Sequence, residues 1–431
     1  MYDYNDADKY FVGSVSSGWN KMENINPLIV KKAEKCFLLD DKNDIYTDYC
    51  MGWGSLFLGH NPNYLSRVFE EAKDIGFGFQ YENKYHLKLA KQIVKNVPSA
   101  EKVRFTNTGT ESTMQAIRMA RSITSKEKII KFEGHFHGVN DYLNFSNDVS
   151  NIGKRLSNGT IESLPGSSGI PLEMSKYVIS LAYNDIESFE KIISEEEIAG
   201  VILEPICLAS AIMFPKNDFL KKLRKLCTES NIILIFDEVM SGFRNNIGGA
   251  QKDFAVTPDI TIISKILGGG FPISAIVGKK EYMDILDPVG DCIVSGTNNG
   301  RILSVIGAYH TVKFLQENPN VYELNQKNMD YFIKNVNEIL NRKKVEGIAR
   351  GYGGRVSIHF GTTELQDNYE SVIKTWDKEK HMRVYDEAFK NKLYGFLLPL
   401  SRCPEPICIT PIHTKEILDE TLNIFEKIVM V

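Results

Sequence analysis

A central, mostly parallel β-sheet covered by helices, with an N-terminal segment before it and a smaller α+β domain after it, is the fold this sequence predicts. Two observations carry that α/β class. Short apolar runs recur without polar–apolar alternation, the pattern of strands buried on both faces. Amphipathic stretches of helical period separate several of them, as the crossovers of a parallel sheet require. Residues 1–75 form the N-terminal segment, where "KAEKCFLLDDKNDIYTDYCMGW" reads as short strands joined by a polar turn. The large domain, 76–310, holds the runs "KVRFT" (102–106), "KIIKF" (128–132), "YVISL" (177–181), "AGVIL" (199–203), "IILIF" (232–236), "ITIIS" (260–264) and "ISAIVG" (273–278). Its helices include "DIESFEKIISE" (185–195) and "DFLKKLRKLCTE" (218–229). The C-terminal domain, 311–431, opens on long helical patterns, passes through the strand "GRVSIHF" and closes on a helix near 415–430.

Composition narrows the class of function. The 431 residues are 43% apolar and 25% charged, an ordinary globular balance, and the chain is long enough to bury an active site without disulfide or metal staples. A net charge of −4 argues against a nucleic-acid or polybasic membrane surface, which needs a cationic excess. No apolar run approaches the roughly 18 residues of a membrane helix. The start, "MYDYNDADKY", lacks the order of a secretory leader. Seven scattered cysteines without a CxxC pair fit neither a disulfide framework nor zinc spacing. The expectation is a cytoplasmic protein acting on small molecules, with no nucleic acid and no membrane.

Four features carry chemistry. In "NIILIFDEVMSGFR" an apolar run ends in Asp237; alone, such an acid can simply cap the next helix. In "PDITIISKILGGGFP" Lys265 also ends an apolar run, and a lysine there is costly unless paired or neutralised. If the two strands are neighbours, Asp237 and Lys265 share one sheet edge, where ligands of such sheets sit. In "VRFTNTGTEST" a strand leads through Thr108, Gly109 and Thr110 into a helix beginning near Glu111, a common arrangement that can hold an anion. In "KFEGHFHGVND" His135 and His137 flank Phe136. With no third ligand evident, a metal is not expected, and Phe136 can stack on a flat ring. Together the four meet the needs of pyridoxal 5'-phosphate (PLP): a lysine for its aldehyde, a carboxylate for its ring nitrogen, a helix N-terminus for its phosphate and an aromatic over its ring.

The blocks "FTNTGTES", "KFEGHFHG", "GVILEPI", "LIFDEVMSGFR", "PDITIISKILGGGFPISAIVG" and "SGTNNGR", in this order, resemble the class-III PLP-dependent aminotransferases of fold type I. The likeness covers nearly the whole chain and is most similar to the glutamate-1-semialdehyde 2,1-aminomutase branch. The resemblance implies that Lys265 is the covalent anchor and acid/base, and that Asp237 pairs with the ring nitrogen. It implies that Val239 packs on the ring, that Phe136 stacks, that Thr108, Gly109 and Thr110 bind phosphate, and that Glu204 lies near the ring hydroxyl. It further implies a homodimer with sites at the interface, Thr297 reaching the neighbouring subunit's phosphate, and Trp53 lining the substrate pocket.

Two departures bear on the substrate. Aminomutases of this branch carry an N-terminal Pro-Val-Arg run whose arginine holds the substrate carboxylate. Here "VSSGWNKMENINP" puts Asn20 and Lys21 in that region, with only Ser16 and Ser17 of the pattern retained. A C-terminal pocket block is replaced by "SRCPEPICIT", in which Glu405 stands for the family's acid and Arg402 is new. Arg402 is either an anion-binding group or a surface arginine; arginine suits carboxylate recognition. The changed carboxylate region tips the expectation toward transfer from an amino donor to a small, anionic aldehyde or ketone, with the intramolecular aminomutase as alternative.

Overall fold

The computed structural model describes residues 4–20, 27–79, 81–398 and 404–431. Strands β1 (Val30–Glu34), β2 (Phe37–Asp40) and β3 (Ile45–Asp48) form an antiparallel meander. Asp40 fastens its polar turn by accepting the N–H groups of Lys42 (3.0 Å) and Asp44 (2.7 Å), the side-chain turn that suits aspartate.

The central sheet contains β4 (Lys102–Thr106), β5 (Lys128–Phe132), β6 (Val178–Leu181), β7 (Ile198–Leu203), β8 (Ile233–Glu238), β9 (Ile260–Ile263) and β10 (Ser274–Gly278). Its order is β4-β10-β9-β8-β7-β5-β6. Only β10 runs antiparallel to its neighbours. Every residue of β7, β8, β9 and β10 is buried, which is why their sequences lack alternation. One apolar core gathers Phe132, Leu203, Leu223 and Phe236; another gathers Ile117, Ile202, Ile235 and Ile276. The expected strands and helices form within a few residues of where the sequence places them. One start differs: the helix expected from about Glu111 runs Gly109–Thr124, because Thr108 already caps it, its hydroxyl accepting the Glu111 N–H at 3.2 Å. Among the described residues no helix is long and apolar enough to cross a membrane.

The third sheet is built from β11 (Gly347–Tyr352), β12 (Arg355–Phe360) and, after a detour, β14 (Ile407–Cys408). Between them, β13 (Leu393–Tyr394) leaves to pair in parallel with β3. Tyr49 joins the core of this region with Phe332, Val356, Leu418 and Phe425, and its hydroxyl meets Thr421 Oγ1 at 2.6 Å. The beginning and end of the chain are thus packed as one body beside the carboxyl edge of the central sheet.

Candidate active site

Neighbouring strands β8 and β9 pair Asp237 with Ile262 and Glu238 with Ile263. Lys265 follows β9 by two residues, in a left-handed conformation (φ 48°) that opens a tight turn into Gly268, Gly269 and Gly270. The two groups therefore leave the same edge of the sheet. Thr108, Gly109, Thr110, Phe136, Glu204, Asp237, Val239 and Lys265 all line one cavity of about 170 Å³, joined by His137, Gly138, Ala209 and Met240.

Asp237 is buried, and its Oδ1 accepts the Val239 N–H at 3.0 Å. Its Oδ2 lies 2.8 Å from His137 Nδ1. Burial pushes the Asp237 carboxyl up to about 7 and holds His137 well below the usual imidazole range. A neutral His137 therefore donates its Nδ1–H to Asp237 as a hydrogen bond, not as an ion pair. The backbone carbonyl of His137 accepts from Thr113 Oγ1 at 2.6 Å, which fixes this loop on the phosphate-side helix.

Glu204 accepts N–H groups from Phe136 (3.2 Å), Leu208 (2.9 Å) and Ala209 (3.2 Å). Burial, then the Asp237 charge, pushes it up to about 7. Lys265 is half-buried at the cavity, and among the described residues its Nζ makes one polar contact, to Met240 Sδ at 3.9 Å. Burial, followed by the guanidinium charges of Arg355 and Arg244, lowers it to about 8. At the other end of the cavity the walls approach closely. A Cβ at Gly109 would stand 2.9 Å from Val239 Cγ2, and one at Gly138 (φ +86°) only 2.2 Å from Thr110 Oγ1.

The remaining candidates fall in different places. Trp53 is half-buried in a turn with φ 56°, and the next residue, Gly54, is tight against Met240 Sδ and Arg244 Nη2. That sets the Trp53 turn beside the methionine that touches Lys265. Glu405 is buried and pairs with Arg355 at 2.6 Å. Thr297 and Ser17 are exposed and do not line the cavity. Arg402 lies outside the described residues. Sequence reasoning passed over His137, Arg244 and Arg355. His137 was weighed only as a metal ligand, and its true partner is 100 residues away. The pair His135/His137 does not converge on one point: His137 faces Asp237, while polar atoms of His135, Glu204 and Cys207 lie within 4.8 Å of one another.

These residues fit PLP. One end offers the first N–H groups of a 16-residue helix, an anion site. The other offers a carboxylate fastened by two donors, and between them stands an amine without a carboxylate partner among the described residues. The sequence pattern of the family described as aminotransferase class-III matches residues 19–429. The chain belongs to the class-III aminotransferases. Glutamate-1-semialdehyde 2,1-aminomutase of Methanococcus maripaludis is 37% identical over 97% of this chain and 95% of its own. That of Methanocaldococcus jannaschii is 36% identical, over 99% and 96%. Among solved structures, an omega-transaminase from Sphaerobacter thermophilus superposes with a TM-score of 0.89 at 26% identity, covering 99% of this chain and 96% of that one. A glutamate-1-semialdehyde aminomutase from Pseudomonas aeruginosa shares the fold, with a TM-score of 0.87 at 16% identity over 99% and 93%. This class-III protein is a fold type I, PLP-dependent enzyme acting on small molecules. Between the two activities weighed from the sequence, the relatives favour the intramolecular alternative over the intermolecular one put first.

Proposed function

We propose that this protein is a glutamate-1-semialdehyde 2,1-aminomutase, moving an amino group between adjacent carbons of one molecule to give 5-aminolevulinate. The observation that carries this reading is the 37% identity to relatives of that name over 97% of the chain. Bound PLP supplies an aldehyde carbon that holds the amino group and a ring that draws electrons from the breaking bond. Lys265 Nζ would hold the aldehyde carbon and, once displaced, would carry the proton of a 1,3-shift between the substrate carbon and the cofactor carbon on either side of the transferred nitrogen. Its pKa, lowered to about 8, leaves a useful neutral fraction near neutral pH. Asp237 supplies a fixed negative charge, kept by the donors of His137 and Val239. Thr108, Gly109 and Thr110 hold the phosphate, Phe136 and Val239 cover the ring faces, and Glu204 lies on the ring-hydroxyl side. Trp53 and Glu405 line the substrate end; Ser17 and Arg402 belong to it in this reading as well. The active form is a homodimer in which Thr297 reaches the other subunit's phosphate site. Exposed Val289 (72%), Ile293 (63%) and Thr297 on one stretch support that assembly.

Intermolecular transfer from an amino donor to a small anionic carbonyl compound is the second reading, favoured by an N-terminal block without arginine, "VSSGWNKMENINP". Mixing the holoenzyme with L-glutamate and, separately, with 4,5-diaminovalerate separates the two. A change in cofactor absorbance with diaminovalerate and none with glutamate supports the aminomutase. Conversion by glutamate with release of 2-oxoglutarate overturns it in favour of the second reading.

A further inference from the structure

Two buried arginines, Arg355 and Arg244, act on Lys265 from beside the cavity. Arg355 is 2% exposed at the start of β12, whose six residues are all buried. Its Nη2 donates to Glu405 Oε1 at 2.6 Å and its Nη1 to Cys408 Sγ at 3.0 Å. Its Nε, though buried, has no hydrogen-bond partner among the described residues. Arg244, 1% exposed, is held by backbone carbonyls alone, Nε on Met240 and Nη2 on Gly54, each at 2.5 Å. The two arginines are locked together by the β11–β12 turn, where a Cβ at Gly353 would stand 2.6 Å from Arg244 Cγ. Met240, whose carbonyl holds Arg244, touches Lys265 with its sulfur. Arg355, Arg244 and Lys265 therefore share one region, and Glu405 is the carboxylate there that pairs with a guanidinium.

Buried guanidinium groups are stable when matched by anions. The two differ in what they have left to offer. Arg244 has its Nε on the Met240 carbonyl and an Nη2 N–H on that of Gly54, which fixes the Gly54 turn and leaves it no free Nε for a side-on contact. Arg355 uses two of the five N–H donors of a guanidinium, leaving Nε–H and one N–H on each terminal nitrogen. Those are the donors of a bidentate carboxylate contact. The N-terminal stretch that should carry the carboxylate-binding arginine has none. We infer that Arg355 is the specificity-determining residue that binds the substrate's carboxylate, with Glu405 as the internal anion that occupies it between turnovers. The inference deepens the proposed function and rests on an anionic substrate. It puts the carboxylate contact on the first residue of β12, in the C-terminal part of the chain.

The test uses holoenzyme and two vicinal diamines, 4,5-diaminovalerate and 1,2-diaminopentane, which differ by a carboxylate against a methyl. The readout is the concentration giving half-maximal rate of cofactor absorbance change. Arg355→Met raises that concentration for diaminovalerate by about 100-fold more than it does for diaminopentane, the loss of a charged, bidentate contact; the ratio between the two diamines cancels any effect on Lys265 that both share. Arg355→Lys, which keeps charge and loses the fork, falls between. Glu405→Gln lowers the diaminovalerate concentration, because the competing anion is gone. If Arg355→Met does not fold, the double variant Arg355→Met/Glu405→Gln leaves neither charge unpaired and carries the comparison. Undiminished preference for diaminovalerate in whichever of these variants folds with cofactor bound overturns the inference. If wild-type protein answers to L-glutamate and not to diaminovalerate, the aminomutase reading falls and the same variants are compared on glutamate against L-norvaline. Loss of glutamate preference then sustains Arg355, and its retention overturns it.

Discussion

His137 gives the sharpest test of the cofactor site, because it acts on a second group whose state can be read. In His137→Phe the ring volume stays, so the pocket remains filled, but the donor 2.8 Å from Asp237 Oδ2 is lost. Asp237 keeps the Val239 N–H. A hydrogen bond to an ionised, buried carboxylate contributes about 1.5–3 kcal/mol. At about 1.4 kcal/mol per pKa unit, its loss raises the Asp237 carboxyl by roughly one to two units. Burial already holds that carboxyl at about 7, and the ionised form is the one the cofactor ring needs. The variant therefore carries less of it at neutral pH and regains it as pH rises. Turnover near neutrality falls roughly 5- to 50-fold, and the limb of the kcat–pH profile that depends on Asp237 moves upward. Steady-state kinetics across pH, on protein shown by absorbance to be loaded with cofactor, measures both. A profile that superimposes on the wild type's would refute the reasoning and make His137 a packing residue.

Four further outcomes follow from the same geometry. Lys265→Ala binds cofactor without the covalent visible band and does not turn over; measurable turnover removes Lys265 from its role. Gly138→Ala must push against Thr110, 2.2 Å from the new carbon, and adopt φ +86°, a penalty of about 1–3 kcal/mol; titration of the apoenzyme should show cofactor affinity down about tenfold or more, and unchanged affinity contradicts the close approach. Asp237 and Glu204 both have carboxyls held near 7 by burial, against about 4 when unfolded, so the apoenzyme binds more protons folded than unfolded and loses stability as pH rises through that window. Cofactor removes the Asp237 share of that loss, so the holo–apo difference in Tm should widen from acid to neutral pH; a constant difference counts against the pairing. Thr297→Ala, combined in a mixed dimer with a subunit lacking Lys265, should weaken phosphate retention only in the site it reaches across; equal effects on both arrangements would place Thr297 outside the cofactor site.

The chemistry of the site was legible where it is written into strand ends. The apolar run Ile233–Phe236 of β8 leads straight into Asp237, and β9, apolar but for Thr261, stops two residues before Lys265; the two groups leave one sheet edge because consecutive strands of a parallel sheet tend to be adjacent. The turn at Thr108 was legible as a helix start because a cap residue, a glycine and a helix are contiguous. His137 was hidden because its partner lies on a different strand, 100 residues on. Arg355 was hidden for a similar reason: it opens a buried strand, and the acid that accommodates it there, Glu405, is 50 residues away on a segment with no regular structure. The β3–β13 pairing is two residues long, too short for any periodicity to mark.

That last pairing also sets a timetable for the nascent chain. β3 is complete by Asp48, but its parallel neighbour is Leu393–Tyr394, so one edge of the first sheet stays unpaired until almost the whole polypeptide has been synthesised. An open strand edge is a template for intermolecular pairing, and contacts of such long sequence separation form late and slowly. The exposed lysines of β1, Lys31 and Lys32, protect the far edge of that meander, whereas the open edge of β3 is the stretch of Thr47 and Asp48 that later meets β13. The sheet that leads into the Trp53 turn is consequently completed late, and the whole central sheet has been synthesised well before that pairing can form.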